Sequence, residues 1–169
     1  MLSRKTGVTI VAFMVTMALT LFGSSSVSAH NGVICRSLNW TCDGDLGYNP
    51  NRAYWSQYTG HNCTNYVAFR MIRDGASKNF GPFNGNATVW DDYFKERGFK
   101  VNQKPKVGAI AQWNSWEFGS GGGHVAYVDK VGEDWIIIDE DAWGGANYRR
   151  KIYMHDSNWP GRFIHMEKK

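Results

Sequence analysis

Cys63 heads the stretch CTNYVAFRMIR, whose apolar residues recur at spacings of three to five, so its thiol falls in the first turn of an expected helix. Unpaired main-chain N–H groups and the positive end of the helix dipole favour a thiolate there. A nucleophile needs a base, and five histidines compete: His30, His61, His124, His155 and His165. His124 opens the strand-like run HVAYVDKV directly after three glycines, which delivers it to a sheet edge rather than to a core. His61 is the rival by proximity, but a residue two before a helix-start cysteine points away along the entering chain. The other three read as solvated or merely hydrogen-bonded side chains.

The base in turn needs an orienting carboxylate, and the next strand ends in Asp139, Glu140 and Asp141. If Gly132-Glu133-Asp134 is a three-residue loop, Ala126 faces Glu140, and Glu140 lies diagonally beside His124 on one face of the sheet. A two-residue loop reverses this and places Asp141 opposite His124. Parity alone leans only slightly toward Glu140.

The elements that must carry these groups are legible from pattern. A helix is expected from Cys63 to Asp74 with Gly75 as its stop, and a second from Ala87 to Arg97 with Asn86 as N-cap and Gly98 as stop. Beyond Lys104-Pro105 the texture changes to strands: Val107 to Trp113, His124 to Val131, Trp135 to Glu140, Tyr148 to Met154 and Arg162 to Met166. Helices first and a meander of strands after them specify an α+β fold, with the helices packed on a C-terminal antiparallel sheet. The segment SWEFGSGGG, residues 115 to 123, is expected to be a mobile loop.

With 169 residues, 43% of them hydrophobic, the chain has the size and apolar content of one globular domain. Its first 29 residues differ from the rest. Arg4 and Lys5 precede an apolar run from Val8 to Phe22, and Val27-Ser28-Ala29 is a small-x-small cleavage pattern, so a secretory signal peptide is expected over 1–29. An uncleaved anchor is the alternative, but the run is short for a hydrocarbon core of ~30 Å. Those residues hold two of the 19 basic and none of the 15 acidic side chains, leaving 17 against 15 and a net charge of +2. That modest positive balance suits an anionic surface and lacks the clustered footprint of a nucleic-acid binder, so nucleic acid is discarded as a partner.

Export permits disulfides, and three cysteines leave one thiol over. Cys35 and Cys42 are separated by a short, turn-compatible segment near the mature N-terminus, and a bridge between them contributes roughly 2.5 kcal/mol on the chain-entropy model. Spacing does not exclude Cys63 bridged to either of them. In the favoured scheme residues 30–54 form an irregular N-terminal arm held by the Cys35 to Cys42 disulfide, residues 55–169 form the catalytic domain, and Cys63 stays free.

The runs HNCTNYVAFRM, PKVGAIAQW, GGGHVAYVDKV, IIIDEDAWGG and RFIHM, in this order, resemble a CHAP domain, the cysteine- and histidine-dependent amidohydrolase/peptidase family with a reduced papain-like fold. The resemblance covers about residues 55 to 166. It implies that Cys63 is the nucleophile, His124 the base and Glu140 the acid that orients it, with Asn62 as a possible oxyanion donor beside the Cys63 N–H. Two departures stand out. Ala142 occupies a position where many members carry an Asn that assists the histidine, and Asn62 stands where many have Gln.

What the resemblance implies is a secreted, extracellular or wall-associated hydrolase of bacterial peptidoglycan, cleaving either N-acetylmuramoyl-L-alanine or a stem or cross-bridge bond. Trp113, Trp116 and Phe118 before the histidine, and Trp143 with Gly144-Gly145 after the acid, are candidates to line a groove for peptide or sugar. A catalytically weak or inactive wall-binding domain of the same fold is the alternative. No cofactor or metal is expected, because HExxH and CxxC are both missing. A thiol oxidoreductase is disfavoured because Cys63 has no resolving cysteine beside it. The chain is expected to act as a monomer and to meet a membrane only through its leader.

Overall fold

The computed structural model describes residues 32–37, 47–80, 85–118, 121–143 and 147–168. The expected leader, His30, Cys42 and Gly144-Gly145 lie outside them. The architecture is α+β, with helices laid on an antiparallel sheet. Its elements are β1 (Val33–Ser37), α1 (Cys63–Arg73), a 3-10 turn (Ala87–Val89) running into α2 (Trp90–Glu96), β2 (Phe99–Asn102), β3 (Ile110–Trp113), a single helical turn α3 (Ser115–Phe118), β4 (His124–Val131), β5 (Trp135–Asp141), β6 (Asn147–Tyr153) and β7 (Arg162–Lys168). The seven strands lie in the order β1-β6-β5-β4-β3-β7-β2.

Strand alternation sorts the core into two layers. Val125, Tyr127, Ile110 and Ile164 face α1 and α2, packing against Tyr66, Val67, Met71, Trp90 and Phe94. Ala126, Val128, Ile136, Ile138, Ile152 and Phe163 gather in a second cluster with Trp113. The helical layer is aromatic: Phe94 meets the rings of Trp55, Phe80 and Phe99 at centroid distances of 5.7, 5.7 and 5.5 Å. Each such buried ring contributes roughly 1.5–3 kcal/mol, and truncating Phe94 or Trp90 to alanine removes about 3–5 kcal/mol. α1 stops where Gly75 adopts a positive φ of 94°, its N–H donating to the Ile72 carbonyl at 3.1 Å.

Three local features differ from the sequence expectation. The N-terminal arm, expected to be irregular, supplies β1, which pairs with β6 at the sheet edge. Phe99–Asn102, before Lys104-Pro105, forms the opposite edge strand β2 against β7. Within the glycine-rich segment, Ser115–Phe118 forms a helical turn because Glu117 accepts a hydrogen bond from the Asn114 N–H at 2.6 Å and pairs with Arg162 at 3.1 Å.

The register of β4 and β5 decides which acid meets His124. Gly132 N–H donates to the Trp135 carbonyl at 2.8 Å, so only Glu133 and Asp134 form the loop, and Val131 pairs with Ile136. Continued unchanged, that register would turn Glu140 away from His124. Asp129 instead forms a β-bulge: beyond it Val128 pairs with Ile138 and Tyr127 with Asp139. The bulge moves the register by one residue and returns Glu140 to the face of His124.

Candidate active site

Asn62 is the N-cap of α1. Its side-chain oxygen accepts from the Asn65 N–H at 2.8 Å and the Thr64 hydroxyl at 2.9 Å, while its amide nitrogen donates to the carbonyls of Tyr58 at 2.8 Å and Gly60 at 3.1 Å. This corrects the oxyanion-donor expectation for Asn62: a side chain whose amide hydrogens fix the chain entering α1 has none to turn toward a substrate. It places Cys63 in the first turn, where N–H groups have no acceptor inside the helix. Cys63 is a free thiol.

His124 opens β4 beside Gly123, whose φ is +67° and whose added Cβ would lie 2.6 Å from the Trp113 carbonyl oxygen. Only glycine fits that approach. The imidazole is 5% exposed, hydrogen-bonds Cys63, and presents Nε2 to Glu140 Oε2 at 2.5 Å. Burial alone would lower its pKa, but the attraction and hydrogen bond of Cys63, together with those of Glu140, push it up to about 10. Glu140, 3% exposed, is opposed by burial yet held below the ordinary carboxylate range by His124 and by the guanidinium of Arg150, which pairs with its second oxygen.

The two flanking acids turn to the other face. Asp139 pairs with Arg70 at 2.8 Å and Arg149 at 3.0 Å, and Asp141 with His61 at 3.2 Å. Neither is aimed at His124. His61 is thus occupied with Asp141, His155 lies 3.8 Å from Asp156, and His165 meets Asn102 at 3.1 Å.

A groove of about 420 Å³ opens over Cys63, His124 and Glu140, walled by Tyr58, Asn86, Gly122, Trp143 and Arg150 among others. Trp143 is 78% exposed on its rim. Trp113 is a correction: it is 3% exposed, its ring sits 5.4 Å from that of His124, and its indole N–H donates to the Asn158 carbonyl at 2.9 Å. It lies on a strand buried along its whole length and backs the imidazole instead of lining the groove. Among the described residues no group of three or more His, Cys, Asp or Glu side chains is arranged to hold a metal ion.

Arg150 escaped the sequence reading. The signal was parity across the β5–β6 hairpin: with Asp141 opposite Asn147, Ile138 faces Arg150, which puts Arg150 on the face of Glu140.

Residues 52–142 match the model of the CHAP domain family. The chain is 31% identical over 123 residues to N-acetylmuramoyl-L-alanine amidase sle1 of Staphylococcus epidermidis, covering 70% of this chain and 36% of that one. Against the Staphylococcus aureus protein of the same description the identity is 32% over 125 residues, covering 70% and 35%. The chain therefore spans about a third of the length of these relatives. The crystal structure of an N-acetylmuramoyl-L-alanine amidase from Staphylococcus aureus superimposes with a TM-score of 0.54 at 29% identity, over 66% of this chain and 32% of that one. With its cysteine-headed helix, its histidine strand and this match over the segment that carries both, the chain belongs to the CHAP domain family.

Proposed function

We propose that this chain is a secreted hydrolase of bacterial peptidoglycan that cleaves the N-acetylmuramoyl-L-alanine amide through a thioester on Cys63. The observation that carries the reading is the buried relay from Cys63 through His124 to Glu140 at the floor of an open groove. The amidase description of the relatives supports the choice of bond. His124, hydrogen-bonded to Cys63, takes the thiol proton and so presents the sulfur as the nucleophile. The sulfur attacks the amide carbonyl, and the Cys63 N–H at the helix start stabilises the oxyanion. His124 gives its proton to the departing amine. Neutral His124 then takes a proton from water, which cleaves the thioester and restores the acid form. Glu140, fixed by Arg150, holds the imidazole in one orientation throughout.

Trp143 and Tyr58 offer exposed aromatic faces to the glycan or stem. A Cys35 to Cys42 bridge belongs to the same reading, since it leaves Cys63 as the reactive thiol; alkylation without reductant then modifies one cysteine. Purified protein and Cys63→Ala on purified walls test the function. Loss of turbidity with the first alone, and new lactyl-muramic acid and L-alanine termini by mass spectrometry, are expected. Equal effects of both proteins would leave a wall-binding domain, and cuts within the stem would make it an endopeptidase.

A further inference from the structure

Strand β5 ends in three consecutive carboxylates, and alternation sends them to two faces. Glu140 goes to His124. Asp139 and Asp141 go to α1, the first to Arg70 two turns along the helix and the second to the residues just before Cys63. Asp141 is 0% exposed. Its carboxyl receives His61 Nδ1 at 3.2 Å and the main-chain N–H of Asn62 from the helix side, and the N–H of Ala142 from its own strand.

We propose that Asp141, together with His61, is a positioning residue of the site: it ties the start of α1 to the end of β5, so that one strand fixes both Glu140 and the place of the Cys63 sulfur. The inference rests on the reading of Cys63 and His124 as the reacting pair. The chain enters α1 through the turn at Gly60, so the N-cap Asn62 needs an anchor on the sheet for the sulfur to keep its distance from the imidazole. Asp141 is next in sequence to Glu140, so any shift of the clamp is felt at both members of the relay.

The clamp depends on charge. Burial pushes the Asp141 carboxyl up to about 6, while His61 and the N–H groups of Asn62 and Ala142 pull the other way. Among the described residues Tyr48 from the arm and Cys63 from α1 also face this corner, and the residue opposite on β6 is the neutral Asn147. Above about pH 6 the charged carboxylate attracts His61 at the helix start; below it, a proton cancels that charge, the attraction weakens and the clamp slackens. Activity then falls as pH drops through about 6.

Initial rates against a suspension of purified peptidoglycan, from pH 4.5 to 9 and over a range of concentrations, test this for wild type, Asp141→Asn and His61→Asn. Asp141→Asn is expected to lower kcat about tenfold with KM within twofold and to erase the limb near pH 6. His61→Asn removes an attraction that holds the acid ionised, so the limb moves to higher pH. Iodoacetamide alkylation of Cys63 at pH 7 supplies a readout independent of substrate. Asp141→Asn is expected to slow it several-fold, whereas a simple charge effect has the opposite sign, because losing a neighbouring negative charge makes a thiolate easier to form. Unchanged kcat and limb in Asp141→Asn, faster alkylation, or an unmoved limb in His61→Asn would overturn the proposal. His61 is 28% exposed, so its variant decides the matter even if the buried substitution prevents folding. Wild type that alkylates as expected but releases no wall fragments would fail the hydrolase reading and leave the clamp standing.

Discussion

His124 Nε2 lies 2.5 Å from Glu140 Oε2, with both side chains nearly excluded from solvent and the second carboxylate oxygen held by Arg150. A charge-assisted bond in such surroundings fixes the imidazole plane and stabilises its protonated form. Glu140→Gln keeps the shape and loses the charge. It is expected to reduce wall hydrolysis by about 10² or more while leaving the fold intact, measured as turnover and circular dichroism on one preparation. Turnover within threefold of wild type would remove Glu140 from the mechanism.

That pairing marks where sequence reading ran out. Cys63 and His124 were legible because local signals carry them: an apolar period that opens at the cysteine, and glycines that end at the histidine. Glu140 was only favoured, because its face depends on a bulge at Asp129 that no turn residue announces. Of the two loop lengths left open, the two-residue one is found, and the bulge restores by another route the pairing that a three-residue loop would have given. The edge strands β1 and β2 escaped for a related reason. Short segments such as Phe99–Asn102 gain their strand character from a partner distant in sequence, and four or five residues of period-two pattern do not reveal one.

Arg150 is expected to be a positioning residue for Glu140. Arg150→Met leaves a buried carboxylate with one cationic partner, costing about 2 kcal/mol, less than a fully buried pair because Arg150 keeps contact with water. Turnover should fall about tenfold, and the acid limb set by Glu140, which lies below that of Asp141, should move up in pH, since an attraction that keeps Glu140 ionised is gone. Arg150→Lys restores part of both. A pH profile identical to wild type would assign Arg150 a merely structural part.

The charge on His124 has a signature in stability. The folded-state pKa of His124 is raised to about 10 from 6.5, so its contribution is complete below pH 6.5 and is lost as pH rises through about 10. Cys63 is the leading source of that upward shift. In Cys63→Ala the alkaline fall in Tm therefore begins at lower pH than in wild type. Thermal scans from pH 6 to 11 check this; parallel curves would mean that sulfur and imidazole are not electrostatically paired.

Trp143 stands 78% exposed on the groove rim, so its truncation costs the fold little. If its ring holds a sugar or stem face, Trp143→Ala raises KM on peptidoglycan roughly three- to tenfold with kcat and Cys63 alkylation unchanged. An effect on kcat alone would place the ring in the chemistry instead of in binding.

Behind the site, Arg70 on α1 reaches Asp139 on β5 at 2.8 Å and the Tyr66 hydroxyl at 2.9 Å, its guanidinium lies 3.8 Å from the centre of the Tyr127 ring, and Arg149 of β6 closes the network by pairing with Asp139 and Asp129. Arg70 and Asp139 are 3% and 1% exposed at their side chains, so their charges have been taken out of water and each depends on the other. Arg70→Met leaves Asp139 with Arg149 as its remaining cation and is expected to destabilise the fold by about 3 kcal/mol, read as a lower urea midpoint at unchanged slope. Arg149→Met is expected to cost less, because that side chain is 19% exposed and its charge is screened. Asp129, the bulge residue, pairs with both arginines, so the network also holds the bulge that sets the register of Glu140. Arg70→Met should therefore lose turnover beyond its loss of stability. Measured well below its Tm, the folded variant is expected to hydrolyse walls several-fold more slowly than wild type. Full specific activity in the folded fraction would separate the network from the alignment of the site.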